Sequence, residues 1–196
     1  MDSKNIKWCS MKELKGNFAY LLHPFPAFLI TSISKEKKPN VMTASWLIPL
    51  STNPPLIVLS LKPERYTYSL IKETGDFAIN IPPYELRKAT LICGRYSGRN
   101  TDKFRKANLT PILAEKIASP LIKECIAHVE CTIENIVDIK ADHHLVIGRV
   151  LRAQVIKEYF DKTYLIEKFK PTLYFGNDLY GTITNIEQLY ISDKEK

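Results

Sequence analysis

A chain of 196 residues is long enough to bury about two-thirds of its unfolded surface within one domain. Its 45% hydrophobic and 25% charged residues are those of an ordinary soluble globular protein. The net charge of +7 favours anionic ligands, but Lys35-Glu36-Lys37-Lys38 and Asp193-Lys194-Glu195-Lys196 mix signs, which argues against a nucleic-acid-binding stripe.

Met1-Asp2-Ser3-Lys4-Asn5 is followed by no apolar leader segment, so secretion is not expected. The most apolar stretch, residues 18–33, is interrupted by His23, Pro24 and Pro26 and is too broken to span a bilayer. His23 beside Pro24 reads as structural. Residues 27–33 are β-branched and aromatic and predict a strand, ending in the charged turn 35–39. A strand over 41–48 follows, then Pro54-Pro55, then the apolar run 56–61, read as a strand buried on both faces and stopped by Pro63.

Thr67 is expected to cap a short helix that turns Leu70 and Ile71 inward and closes at Gly75. Residues 77–81 predict a strand ended by Pro82-Pro83, and 85–92 and 102–107 predict short helices. From 126 to 139 the period is two: Ala127, Val129, Cys131 and Ile133 share one face, His128, Glu130, Thr132 and Glu134 the other. On that pattern His128 belongs at a surface or an interface. A long strand over 144–155 loses its alternation near Val150-Leu151, as at a bulge. The tail carries Leu173-Tyr174-Phe175-Gly176 and Tyr180-Gly181.

Many strands, few short helices and no strand–helix alternation predict a mainly β, closed or partly closed barrel, with residues 1–196 as one domain. Cys9, Cys93, Cys125 and Cys131 show no C-x-x-C pair and no zinc spacing, so buried, reduced thiols in a cytoplasmic protein are expected, with no metal site. The seven glycines form neither a dinucleotide-binding fingerprint nor a P-loop, and no H-E-x-x-H or G-x-S-x-G occurs.

What remains is anion chemistry without a glycine loop. Lys62 and Arg65 flank the end of an apolar strand, and Thr67 stands near a helix N-terminus, where free amides and a hydroxyl suit an anion. Ser97-Gly98 reads as a turn whose amides can point at an oxygen, and Lys103 comes one step into the next helix. Each of these residues alone is what a solvated surface also provides; their combination suggests a phosphoester site.

Their order and spacing also carry a resemblance. Asn40-Val41-Met42-Thr43-Ala44-Ser45-Trp46 with Pro54-Pro55-Leu56-Ile57 resembles the first FMN-binding segment of the flavin reductase-like proteins. Further matches are Arg65-Tyr66-Thr67, Glu73-Thr74-Gly75-Asp76-Phe77 through Asn80, Cys93-Gly94 to Asp102-Lys103-Phe104, and Asp142-His143 before Gly148-Arg149-Val150. The flavoredoxin-like branch is the nearest in pattern. The resemblance implies an FMN-binding split β-barrel of Greek-key type with a few short flanking helices, usually a homodimer.

Carried over, Asn40 and Met42 fall in the first cofactor segment, Thr43, Ala44 and Ser45 line the isoalloxazine, and Trp46 is either core or flavin-adjacent. Ser60, Leu61 and Lys62 follow the cofactor toward its phosphate. Arg65, Thr67, Ser97, Gly98 and Lys103 hold that phosphate. His143 matches a histidine near flavin and nicotinamide, with His144 as the alternative. The implied activity is NAD(P)H-dependent flavin reduction, by hydride transfer from NAD(P)H to flavin N5. The alternative is an electron carrier that keeps FMN tightly bound and serves a redox protein partner. Neither nucleic acid nor membrane is an expected partner.

Overall fold

The computed structural model describes residues 12–187. Residues 1–5, Cys9 and the Asp193-Lys194-Glu195-Lys196 tail therefore lie outside the described residues. In chain order the elements are β1 (Phe25–Pro26), β2 (Phe28–Ile33), β3 (Pro39–Ala44), β4 (Leu47–Thr52), β5 (Pro55–Leu61), α1 (Tyr66–Thr74), β6 (Asp76–Ile81), α2 (Arg87–Arg95) and α3 (Lys103–Lys106). They continue with β7 (Pro111–Ile112), β8 (Leu121–Ile122), β9 (Ala127–Asp138), β10 (His144–Val155), β11 (Leu173–Gly176) and β12 (Leu179–Gly181).

Seven strands form an antiparallel sheet in the order β3-β2-β6-β9-β10-β5-β4. Its outermost strands, β3 and β4, are separated in sequence by Ser45 and Trp46 alone. Laid flat, edges of seven strands would stand about 29 Å apart, whereas so short a link reaches about 11 Å. The sheet therefore has to curl round until its edges meet. No ladder joins β3 to β4 among the described residues, so the barrel is split along that seam.

The barrel encloses Ile30, Leu59, Phe77, Ile79, Cys131 and Val146, all buried. Gly148 on β10 is required there, because a Cβ would fall 2.7 Å from Phe77 Cζ. A second apolar cluster lies outside β2 and β3, where α2 and α3 bring Ala89, Cys93, Phe104 and Ala107 against Leu29 and Val41.

Several expectations need correction. Residues 41–48 are not one strand: the ladder breaks at Ser45-Trp46, where the chain crosses the seam. Strand β5 is buried on one face only, since Ile57, Leu59 and Leu61 point inward while Leu56, Val58 and Ser60 stay partly accessible. Thr67 does not cap α1; Arg65 holds the cap position and Thr67 lies inside the first turn. Gly75 closes that helix in the left-handed region at φ 81°. The helix expected over 85–92 begins later and runs to Arg95.

His128 and Glu130 are buried rather than superficial, at 9% and 0% exposure. The alternation of β9 is real, but its polar face is covered by the segment 115–122. Glu130 accepts the amides of Glu115 and Lys116 at 3.1 and 2.6 Å, and Asp76 accepts those of Ala118 and Ser119 at 3.0 Å each. Asn80 accepts the Ile122 amide, and His128 Nδ1 lies 2.9 Å from the same Asn80 oxygen. The expected irregularity at Leu151 is present as a register shift between Val150 and Arg152, with another between Ile147 and Gly148.

Candidate functional site

The seam opens into a crevice made of two adjoining cavities. Met42, Thr43 and Arg65 line both. At one end, Ala44, Ser45 and Trp46 from the seam meet Ser60, Leu61 and Lys62 from the end of β5, together with His143. At the other end, Thr67 of α1 faces Ser97, Gly98 and Lys103 across the α2–α3 connection. Asn40 alone of the sequence-selected residues lines neither cavity. It lies buried behind them and donates from Nδ2 to Ser32 Oγ at 3.0 Å and Thr67 Oγ1 at 2.9 Å.

Lys103 defines the chemistry of the second end. It is 5% exposed, because α3 packs its first turn against the helix–sheet core. Its ammonium donates to Cys93 O at 3.2 Å, and burial, with Arg65 nearby, pushes its pKa down to about 8. An ammonium has three donors and strongly prefers a paired environment when dehydrated. Arg65 makes no side-chain hydrogen bond or ion pair among the described residues, and it lines the same cavity. A buried cation with spare donors beside an unpaired guanidinium is a site shaped for an anion. The donor set fits the phosphate of FMN.

The first end is built differently. Lys62 Nζ meets Asp142 Oδ2 at 2.7 Å, and Asp142 Oδ1 meets His143 Nδ1 at 2.9 Å. Hydrogen bonds from Lys62 and His143 hold the Asp142 carboxyl down at about 2, so it stays ionised in neutral solution. With Nδ1 engaged, Nε2 is the nitrogen of His143 left to meet a ligand. Its ring lies 4.9 Å from that of Trp46. Trp46 is 41% exposed and so belongs to the crevice, not to the core. His144 turns the other way, with Nδ1 2.9 Å from the Tyr68 hydroxyl and Nε2 3.5 Å from Asp138.

Two details depart from the sequence reading. The Thr43 hydroxyl is spent on the carbonyl of Thr90, leaving it only acceptor capacity toward a ligand. Lys62 belongs to the His143 end, and Arg65 is the cation that spans the two ends. Cys93 is buried as expected, and burial raises its thiol to about 12. His23 packs among Tyr20, Phe25 and Tyr174, in keeping with a structural part. No group of three metal-ligating side chains gathers among the described residues.

The sequence reading did not select Tyr66, Arg95 or Arg99, although all three lie inside the motifs it used. Tyr20, Tyr174 and Tyr180 also border the crevice, through a cavity shared with Thr43, Ser45 and Arg65. The tail from Tyr174 to Tyr180 stands at the margin of the resemblance, and nothing local signals Tyr20. Arg95 fastens the tail hairpin there by pairing with Asp178. No helix among the described residues is long and apolar enough to cross a membrane.

Comparison with known proteins places the fold. Residues 20–183 match the profile of the family described as "Flavin reductase like domain". An uncharacterized protein of Archaeoglobus fulgidus is 41% identical over 141 residues, which is 72% of this chain and 78% of that protein. Among solved structures, the flavoredoxin of Desulfovibrio vulgaris (Miyazaki F) superposes with a TM-score of 0.83 at 27% identity, covering 94% of this chain and 99% of that one. An FMN-binding protein from Thermus thermophilus, solved with bound 1-cyclohex-2-enone, gives a TM-score of 0.77 at 25% identity, covering 92% and 97%.

Proposed function

Because this chain belongs to the flavin reductase-like family, we propose that it is an FMN-binding NAD(P)H:flavin oxidoreductase. The observation that carries the reading is the buried Lys103 ammonium facing the same cavity as Arg65. When bound, FMN supplies a two-electron centre whose N5 accepts hydride from a reduced nicotinamide. The chain supplies the setting. Lys103 and Arg65 hold the phosphate, and Ser97 and Gly98 close around it. Asn40 fixes Thr67 from behind. Backbone groups of Thr43, Ala44 and Ser45 face the ring system from the seam. Lys62 orients Asp142, which orients His143, so that a polar nitrogen and the Trp46 ring border the place of a nicotinamide.

A second reading keeps the same site but no pyridine nucleotide activity: an electron carrier with retained FMN. The likeness to flavoredoxin favours it. Visible absorption of the purified protein before and after anaerobic NADH separates the two. Flavin bands that bleach with NADH are the expected result. Bleaching by dithionite but by neither NADH nor NADPH would establish the carrier, and failure to take up added FMN, by desalting and by turnover with excess FMN, would refute both.

The reading extends to a homodimer. Ile48 and Leu50 on β4 and Phe18, Leu21 and Leu22 nearer the N-terminus are each at least half exposed, apolar surface that a second copy could cover. Light scattering is expected to give twice the chain mass; a monomer at micromolar concentration would contradict it.

A further inference from the structure

The anion-binding end of the crevice is bounded on one side by a wall to which Arg99 contributes. Arg99 sits in the turn after α2 and lays its guanidinium 5.1 Å from the Tyr66 ring centroid. From Nη1 it donates to Glu64 O at 3.1 Å, tying this turn to the one that precedes α1. Beside it, Gly98 presses so close to its neighbours that an added Cβ would lie 2.1 Å from Asn40 Oδ1 and 2.9 Å from Tyr66 Cδ1. Beyond the wall is a cavity of about 420 Å³ bordered by Lys38, Asn100 and Thr101. Tyr66, Gly98, Arg99 and Lys103 line both this outer cavity and the anion-binding one.

We propose that Arg99 sets the choice between a flavin mononucleotide and a flavin dinucleotide, by closing the passage an adenylate extension would need. The inference rests on the FMN reading above. A mononucleotide ends at the phosphate that Lys103 and Arg65 face. In a dinucleotide that phosphate carries a second one and an adenosine, which must continue past that end. The outer cavity offers Lys38 for the added phosphate and the Asn100 amide and Thr101 hydroxyl for sugar or base, with Asp102, whose carboxylate caps α3, also on its wall. Between the two lies an exposed arginine held by ring stacking and a single backbone hydrogen bond. Gly98 and Asn40 are packed and cannot yield, so Arg99 is the part of the wall that selects.

The test is titration of flavin-free protein with FMN, FAD and riboflavin, followed by flavin fluorescence, for wild type and Arg99→Ala. Wild type is expected to bind FMN about 100-fold more tightly than FAD. In Arg99→Ala the Kd for FAD should fall about tenfold, with riboflavin affinity within about twofold of wild type. An absolute gain for FAD is what loss of a cation cannot produce, since that loss would weaken both phosphorylated flavins. Equal affinity of the wild type for FMN and FAD would overturn the assignment. So would FAD binding that stays constant or weakens in the variant. Absence of binding by every flavin would instead remove the FMN reading, and this inference with it.

Discussion

Replacing Lys103 by Met is expected to weaken FMN binding by about 1–3 kcal/mol, roughly 5- to 150-fold, while making the flavin-free protein more stable. Both effects have one cause. Folding buries the ammonium and gives it one carbonyl, so its pKa falls from the ordinary 10.5 to about 8. Below pH 8 the folded protein carries a charge that it holds less favourably than the unfolded chain does. Between about 8 and 10.5 the unfolded chain keeps the proton and the folded protein gives it up, so stability rises across that window and the penalty is gone above it.

A phosphate reverses the balance, because it pairs with the charged form. FMN affinity should therefore be level from about pH 7 to 8 and then fall about tenfold per pH unit as free Lys103 loses its proton. Lys103→Met should lack that fall. Arg65→Ala should also weaken FMN, with less effect on stability because Arg65 is exposed. Fluorescence titrations with FMN and riboflavin across pH, together with thermal melts, measure all of this. A Lys103→Met protein with wild-type FMN affinity would sink the phosphate assignment, and equal losses for riboflavin would place the defect in the fold.

Glu130→Ala should lower stability by about 3 kcal/mol, a drop in Tm of roughly 10 °C. Glu130 is fully buried on the outer face of β9 and takes the amides of Glu115 and Lys116 on one oxygen. Arg152 Nε approaches its other oxygen at 3.7 Å. Truncation removes the shared acceptor of two part-buried amides and a neighbour of a half-buried guanidinium. Glu130→Gln keeps an accepting oxygen and should cost clearly less. Denaturant melts of the three proteins decide it; an Ala variant within about 0.5 kcal/mol of wild type would mean that the 115–122 segment is held by Asp76 and Asn80 without it.

These two residues also show where sequence reading succeeds and where it stops. Lys103 was selectable because its neighbours along the chain, Ser97-Gly98 and the helix start at Asp102, already form a local anion motif. Asp102 does cap α3 by accepting the Arg105 amide. Strands with clean periodicity were likewise visible, since alternation is a property of the strand itself. The face that Glu130 shares with His128 was read as superficial because alternation tells which residues share a face and not what covers it. The cover, a run of loop fastened by Asp76, Asn80 and Glu130, has no periodic signal of its own. The break at Ser45-Trp46 was hidden for a related reason: apolar composition continues across it while the chain passes from one edge of the sheet to the other. Arg99 carried no signal beyond being a surface arginine, because its partners Tyr66 and the Glu64 carbonyl lie over thirty residues away.

The seam at Ser45 and Trp46 has a mechanical side. Everywhere else around the cylinder, neighbouring strands are laced by backbone hydrogen bonds, but β3 and β4 are not, and the crevice opens along that gap. A molecule lodged there touches β3, the Ser45-Trp46 crossing and the end of β5 at once, so it works as a cross-stitch as well as a cargo. How firmly the cylinder is shut and how firmly the guest is held then become one property, set where the chain has the fewest bonds of its own.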